Sequence, residues 1–504
     1  MFKPGLSKSS GAPFHHGILI RTMAKDIGLL SFGAYIPRAR LQRKVIADAN
    51  AWFAPALKGL ARGERAMANW DEDAVTMAVE AARDCLGGIE RASVGALTLA
   101  STTHPFDDRQ NAAIVATALN LNPALRSMDV GGSLRAATSA LGAAFDAAVG
   151  GTMTLLAAGE HRLAKAASTQ EMQYGDGAAA LLVGRGQPVA RLLAAHTETV
   201  DFVHQFRGRD RAHDYAWEER WIRDEGYMKI VPAAVAAALK AAGVEPGAVD
   251  HFCMPCTLAR VTPALAKRMG IADTAVRDNL AAVCGDTGAA HPLVMLAAAL
   301  EDAKPGQRIL VAAFGEGCDA LLFEVTDAIK GLAARRGVKG SLARRKEETQ
   351  YQRFLAFNDH INLERGMRAE TDKGTPLTVL YRNRDMIEGL VGGRCQKCGT
   401  FQYPRARYCV NPECNALDSQ DPQPFSDLSG KVMTYTADVL TYCPDPPAYY
   451  GMIQFDQGGR MMADFADIDG GKLEVGLPMR MMFRIKEVDP SRGFVRYFWK
   501  AAPA

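Results

Sequence analysis

The sequence predicts an α/β fold built twice over, followed by a small antiparallel β-barrel. Three observations carry this. Up to about residue 328, short apolar strands alternate with helical stretches of roughly 10–15 residues, the mark of a layered α/β architecture. The succession begins again near Ala190, so the two halves read as one architecture repeated. Past Leu377 the helical periodicity stops, and short strands with Gly, Pro and Asp turns run to the end.

In the first half, residues 27–37 read as a strand and turn, 41–60 as a helix and 71–86 as an amphipathic helix. A strand over 94–100 leads into Ser101-Thr102-Thr103-His104-Pro105. Residues 111–119 are helical. Met128-Asp129-Val130-Gly131-Gly132-Ser133-Leu134 then reads as a strand end and a glycine pair, opening an alanine-rich helix over 134–149. Glycine permits such a sharp strand-to-helix turn. A buried strand over 153–157 and a turn at Gly175-Asp176-Gly177 close this half. The second half has strands over 190–199, 251–254, 308–314 and 321–325, with helices over 231–242, 263–269 and 288–300. Residues 204–227 are polar and aromatic and are expected to cover an opening. The domain boundaries expected are a 1–25 extension, α/β halves over 26–185 and 186–328, a charged helical linker over 329–376, a helix and cysteine-rich unit over 377–425, and a barrel over 426–504.

With 504 residues and 48% hydrophobic residues the chain can bury large cores. A formal net charge of +3 gives no argument for nucleic acid or a membrane surface. No apolar run reaches the ~18–20 residues of a spanning helix. The first 22 residues are basic and lack the apolar centre of a secretory signal; Met23 is an alternative start to Met1. Ten cysteines without such a signal fit a reducing compartment, and a cytoplasmic location is expected.

Two motifs carry chemistry. Cys395-x2-Cys398 with Cys409-x4-Cys414 gives four thiolates in two pairs, enough to wrap one structural Zn2+ tetrahedrally. The elbow at Gly131–Leu134 places a side chain at a helix N-terminus, where N–H groups and the dipole favour a nucleophile or an anion. Further candidates are His104, Cys253, Cys256, Cys284, Asp286 and His291, which the family resemblance given below places on the loops around the elbow. A thiol beside a histidine is a candidate nucleophile, and His104 and His291 are candidate acid/base groups. The candidate catalytic set is thus Cys253, Cys284, His104, His291 and Asp286. Against it stand buried filler cysteines and histidines satisfied by backbone. Ser133 is a further nucleophile candidate that would need a base, and is expected rather to pack or cap the helix.

These marks, with Glu171-x-x-Tyr174-Gly175-Asp176-Gly177 and Gly285-Asp286-Thr287-Gly288, resemble the thiolase superfamily, in particular hydroxymethylglutaryl-CoA synthases and ketoacyl synthases of the III type. The cysteine unit and barrel resemble the zinc-ribbon/OB-fold domain associated with thiolases. The resemblance implies a duplicated, thiolase-like αβαβα layered fold with a coenzyme A thioester as substrate. It also implies a homodimer paired through the first half, and a barrel that seals or docks on the acyl-CoA site, with no nucleic acid and no membrane as partner. Mapped on this chain, the family's nucleophilic cysteine falls on Leu134, its acid/base glutamate on Thr102, its histidine on Cys253 or Met254, and its asparagine near Cys284. Leu134 can neither attack nor ionise, so standard hydroxymethylglutaryl-CoA synthesis is not expected. The leading expectation is Claisen or retro-Claisen acyl transfer on a β-ketoacyl substrate through a relocated cysteine. The alternatives are a retro-aldol cleavage without a covalent intermediate, and a non-catalytic acyl-CoA-binding scaffold.

Overall fold

The structure, a computed structural model, describes residues 26–504; the expected 1–25 extension and the choice between Met1 and Met23 lie outside the described residues. Nine strands form the main sheet: β1 (Ile27–Tyr35), β2 (Ala96–Ala100), β3 (Arg126–Val130), β4 (Thr154–Glu160), β5 (Gly177–Arg185), β6 (Ala190–Thr199), β7 (His251–Cys253), β8 (Arg308–Phe314) and β9 (Gly317–Val325). Their order is β7-β8-β9-β6-β1-β5-β4-β2-β3. The repetition is visible in the pairing. From β1 outward the steps to β5 and β4 are antiparallel and the step to β2 is parallel. From β6 outward the steps to β9 and β8 are antiparallel and the step to β7 is parallel. The halves join where Gly28 and Leu29 face Arg191 and Ala190.

Strand alternation builds the layers, because successive side chains point to opposite faces. In β4, Leu155 and Ala157 face α1 (Ala74–Cys85) and α2 (Asn111–Ala118). Leu156 and Ala158 face inward, on α3 (Ala136–Val149). The inner face of the second half packs on the same central layer, which α3 shares with α5 (His291–Asp302). The outer face of the second half packs on α4 (Met228–Ala242). Alanines along α3 let it sit between two half-sheets, where a larger side chain would overfill the layer. At α1, Asp73 accepts from the Thr76 N–H and Thr76 answers to the Asp73 N–H, a reciprocal cap.

The stretch expected to be one helix over 41–60 is divided. It contains a strand over Ala39–Gln42, a helix over Arg43–Ala49 and a 3-10 turn over Pro55–Leu60. Pro55 fixes the break, since proline suits the first turn of a helix and not its interior. The charged linker is less helical than expected. Its Lys346–Glu348 segment pairs parallel with Ala39–Gln42, and Tyr351 and Phe354 bury against Leu41, Ile46 and Met67. That strand is held by its backbone and shows no apolar alternation to read.

The cysteine unit has strands over Val391–Cys395, Phe401–Gln402 and Gln420–Pro424. The barrel follows with β10 (Gly430–Asp438), β11 (Ala448–Phe455), β12 (Arg460–Asp464), β13 (Pro478–Asp489) and β14 (Phe494–Pro503), in the order β12-β11-β10-β13-β14. A bridge from Phe465 to Ala501 brings its two ends together. The barrel shares one apolar cluster with α1, in which Met481, Phe483 and Trp499 join Val75 and Ala78. Around that cluster, Tyr497 Oη donates to Asp73 at 2.6 Å and Lys500 Nζ meets Asp71 at 2.8 Å. The Arg484 guanidinium lies against Glu72, and at 3.2 Å from Asp467.

Candidate functional site

The elbow is built from backbone constraints. A Cβ on Gly131 would stand 2.8 Å from the Ser101 carbonyl oxygen, and Gly132 holds φ at +81°, a region open to glycine. Ser133 Oγ donates to the Gly315 carbonyl at 3.2 Å and accepts from the Arg135 N–H. Arg135 Nε donates to the same carbonyl at 2.7 Å, and its Nη1 pairs with Asp319 at 3.0 Å. The turn is thereby tied to the Gly315–Glu316 turn of the second half, and Ser133 serves the turn.

Leu134 projects into a cavity of about 260 Å³. The other walls come from elements far apart in the chain. Gln173 comes from the end of the short helix Thr169–Gln173 and Tyr174 from its C-cap, just before β5. His204 and Trp217 come from the aromatic segment, Tyr227 from the end of a π-helical turn, Cys256 and Asp286 from loops of the second half, and Phe314 from β8. A π turn inserts an extra residue into the helix and re-aims the residues after it, a device frequent at functional sites.

His204 is buried, and both of its ring nitrogens lack a hydrogen-bond partner among the described residues. Its Nδ1 lies 3.6 Å from Glu316 Oε1. Burial pushes its pKa down, so the ring is neutral and can take a proton. Burial likewise raises Tyr227 well above the ordinary phenol value, with the Cys256 thiol beside it; Tyr227 is a protonated donor. Tyr174 Oη donates to Asp214 at 3.0 Å, and the Arg162 guanidinium lies 3.7 Å from the centre of its ring. Arg162 also meets Asp286 at 2.8 Å. Burial works to raise the Asp286 carboxyl, but Arg162, His291 and the Gly288 N–H together overcome it and hold the group below the usual range.

The residues singled out from sequence part company here. Asp286 lines the cavity. Cys253 and Cys284 do not; both are fully buried, against the Met295 and Gly285 carbonyls, and burial pushes each thiol up to about 12. Of the flagged cysteines Cys256 alone reaches the cavity, with its thiol also raised to about 12 by burial. His291 accepts from the Thr287 N–H through Nδ1 at 2.9 Å and meets the Asn279 carbonyl through Nε2 at 2.8 Å. Both of its nitrogens are engaged, and burial lowers its pKa. His104 lies behind the elbow, its Nδ1 3.7 Å from where a Gly131 Cβ would be, and does not line the cavity. The groups that share the cavity with Leu134 are instead His204, Tyr227 and Tyr174. Only the aromatic composition of 204–227 signalled the first two in the sequence.

A second cavity of about 410 Å³ shares Gln173, Cys256, Thr257, Leu258 and Asp286 with the first, and carries Arg43, Arg260 and Arg277. It adjoins the first cavity, and Asp278 lies among its arginines. None of the residues lining the two cavities comes from the barrel of the same chain, which is held at α1.

Residues 239–324 match the family described as 3-Oxoacyl-[acyl-carrier-protein (ACP)] synthase III C terminal. The hydroxymethylglutaryl-CoA synthase of Aeropyrum pernix is 30% identical over 321 residues, covering 62% of this chain and 88% of its own. That of Methanosarcina mazei is 29% identical over 348 residues, covering 67% and 99%. The chain belongs to the hydroxymethylglutaryl-CoA synthase family. Solved structures with this thiolase-like fold include MvaS in complex with 3-hydroxy-3-methylglutaryl coenzyme A, with a TM-score of 0.56, 18% identity and coverage of 66% of this chain and 92% of that one. Another is the 3-oxoacyl-[acyl-carrier-protein] synthase III from Aquifex aeolicus, with a TM-score of 0.52, 20% identity and coverage of 59% and 99%. To the hydroxymethylglutaryl-CoA synthase family core this chain adds two units. Residues 387–418 match the ChsH2 rubredoxin-like zinc ribbon domain and 423–484 the ChsH2 C-terminal OB-fold domain.

In that ribbon the sulfur atoms of Cys395, Cys398, Cys409 and Cys414 all lie within 4.8 Å of one another. The Cys398–Cys409 and Cys395–Cys414 separations are 3.5 and 3.9 Å. Zn–S bonds of about 2.3 Å in a tetrahedron give S···S edges of about 3.8 Å, so the four thiolates fit the ion.

Proposed function

We propose that this chain makes or breaks a carbon–carbon bond beside the carbonyl of an acyl-CoA thioester, by aldol-type chemistry without an acyl-enzyme. The observation that carries this is the cavity itself: Leu134 stands at the elbow, and a neutral His204, both nitrogens without a partner among the described residues, lines the same cavity. In the cleavage direction His204 takes the proton of a β-hydroxyl. The Cα–Cβ bond breaks, its electron pair moves to the thioester carbonyl to form an enolate, and the carbonyl fragment leaves. The Tyr227 hydroxyl donates a hydrogen bond to the developing oxyanion, and the enolate carbon is reprotonated. The Arg162–Asp286 pair and the Tyr174–Asp214 bond hold the wall beside them. In the adjoining cavity Arg43, Arg260 and Arg277 suit the phosphates of CoA.

Claisen-type transfer through a cysteine would have to use Cys256, whose thiol is protonated at neutral pH. Binding of acyl-CoA without turnover is the second reading, supported by the displaced family residues. The exposed edge strand β3, with Met128 half exposed, supports pairing of two copies through the first half. The Zn2+ would be structural, since four protein ligands close its sphere. A cytoplasmic location belongs to the same proposal and rests on the thiol-rich composition. No helix among the described residues is long and apolar enough to cross a membrane.

Intact-protein mass spectrometry after incubation with β-keto and β-hydroxy acyl-CoAs tests the proposal. The expected result is turnover of a β-hydroxy substrate with no acyl adduct, unchanged in the Cys253→Ala/Cys284→Ala double variant. An adduct on Cys256 that is lost with Cys256→Ala would establish acyl transfer. Binding without turnover across the panel would establish the scaffold.

A further inference from the structure

A third cavity, of about 650 Å³, lies away from the catalytic chamber, where α1, the linker helix Gly337–Ala343 and the barrel meet. Five arginines line it: Arg83, Arg335, Arg336, Arg344 and Arg480. Three carboxylates face them, and all three are already engaged. Glu80 is shared by Arg83 and Arg480, and Asp427 by Arg83 and Arg91. Asp84 accepts the backbone N–H groups of Ala34, Arg336 and Gly337.

Of the remaining guanidiniums, Arg344 has a distant carboxylate, and Arg335 and Arg336 have none in ion-pair range among the described residues. Arg335 donates to Ser31 Oγ and to the Phe32 and Ala333 carbonyls. Arg344 has Asp467 at 3.6 Å. Arg336 pairs with no carboxylate among the described residues, and its Nη1 is buried without a partner. Burial, together with Arg480 and Arg344 nearby, pushes Arg336 down to about 10. Holding an unpaired charge there costs stability.

We infer that this cleft binds a phosphate-bearing small molecule, clamped by Arg336, Arg335, Arg344 and Arg480 between the linker and the barrel. Arg335 and Arg336, with no carboxylate in ion-pair range among the described residues, leave two positive charges uncompensated. A phosphate carries about −1.5 to −2 at pH 7, whereas one carboxylate neutralises only half of the excess. Guanidinium forks also match phosphate oxygens two at a time. Occupancy ties three parts of the chain together, so the ligand stabilises the seam between core and barrel.

Calorimetry and thermal unfolding of the full chain with inorganic phosphate, against acetate at matched ionic strength, test this. Phosphate binds saturably at one site per chain and raises Tm, and acetate does neither. Arg336→Met weakens phosphate binding roughly tenfold or more, while the ligand-free variant unfolds no earlier than the parent, because an unpaired buried charge is gone. Arg344→Met provides the same test if Arg336→Met fails to fold. Arg260→Ala, in the cavity adjoining the catalytic chamber, leaves phosphate binding unchanged. The inference is overturned by no saturable binding, by equal effects of acetate, or by phosphate binding that survives the Arg336 and Arg344 changes and is lost with Arg260→Ala.

Discussion

His204 is the residue on which the proposed chemistry turns, and its environment sets a pH signature. An unperturbed histidine titrates near 6.5; burial holds His204 below that. The acid limb of kcat/KM is therefore expected below about 6.5, and a limb at or above that value would remove His204 as the base. His204→Gln is expected to lower kcat by about 10²–10⁴ with little change in KM, measured in steady state. Stability follows the same sign. His204 and His291 both stay neutral in the fold at a pH where the unfolded chain already binds protons. Unfolding free energy should fall as pH drops from about 6.5 through the lower folded values, as read by denaturant titration across that window. At the elbow, Leu134→Cys places a thiol at the N-terminus of α3, which lowers its pKa. The expected outcome is an acyl adduct at that cysteine by mass spectrometry, absent from the parent.

Among the elements, the π turn over Ile222–Tyr227 sets the shape of the chamber. Gly226 packs so closely that a Cβ there would lie 2.8 Å from both Phe202 and Phe314. Gly226→Ala should cost about 1–3 kcal/mol in chemical denaturation and raise KM by moving Phe314 and Tyr227 together. Elements of this kind mark the limit of what the sequence shows. The helix α1 and the alanine-rich α3 are legible because their signals are local: an amphipathic pattern over 71–86, and a glycine pair before a small-residue run. The strand Lys346–Glu348 and the last barrel strand β14 are not, because charged residues such as Arg496 and Lys500 interrupt the apolar pattern. Their partners lie elsewhere in the chain. The site divides in the same way. Asp286 sits in a recognisable Gly-Asp-Thr-Gly motif, whereas His204 becomes a candidate only when Phe314 and Glu316, over a hundred residues later, fold against it. Cys253 and Cys284 carry the residue type of a nucleophile, and only packing reveals that they face the core.

At the scale of the whole molecule, the barrel is continuous with the first half. Lys500 and Asp71 are buried together, with side chains 3% and 2% exposed. Burial would raise Asp71, and Lys500 and Arg484 overcome it and hold it low. Lys500→Met should cost about 3 kcal/mol, because it leaves a buried carboxylate with Arg484 alone. A fall in the denaturation midpoint of less than a third of that would mean the pair contributes little. Chelation of zinc, or Cys398→Ser, should loosen the ribbon and lower Tm while the catalytic chamber, which the ribbon does not line, keeps its substrate affinity.

Asp71, Glu72 and Asp73 are consecutive, and each finds its counter-group in the barrel: Lys500, Arg484 and Tyr497. Lys500 lies 429 residues after Asp71. During synthesis at about 5–20 residues per second, the acidic triplet leaves the ribosome roughly 20–90 s before its partners exist. The first half is thus completed only once β13 and β14 have been made. A chain released early keeps three solvated acids and an uncovered apolar α1, the features by which quality control in a cell distinguishes an unfinished protein from a finished one.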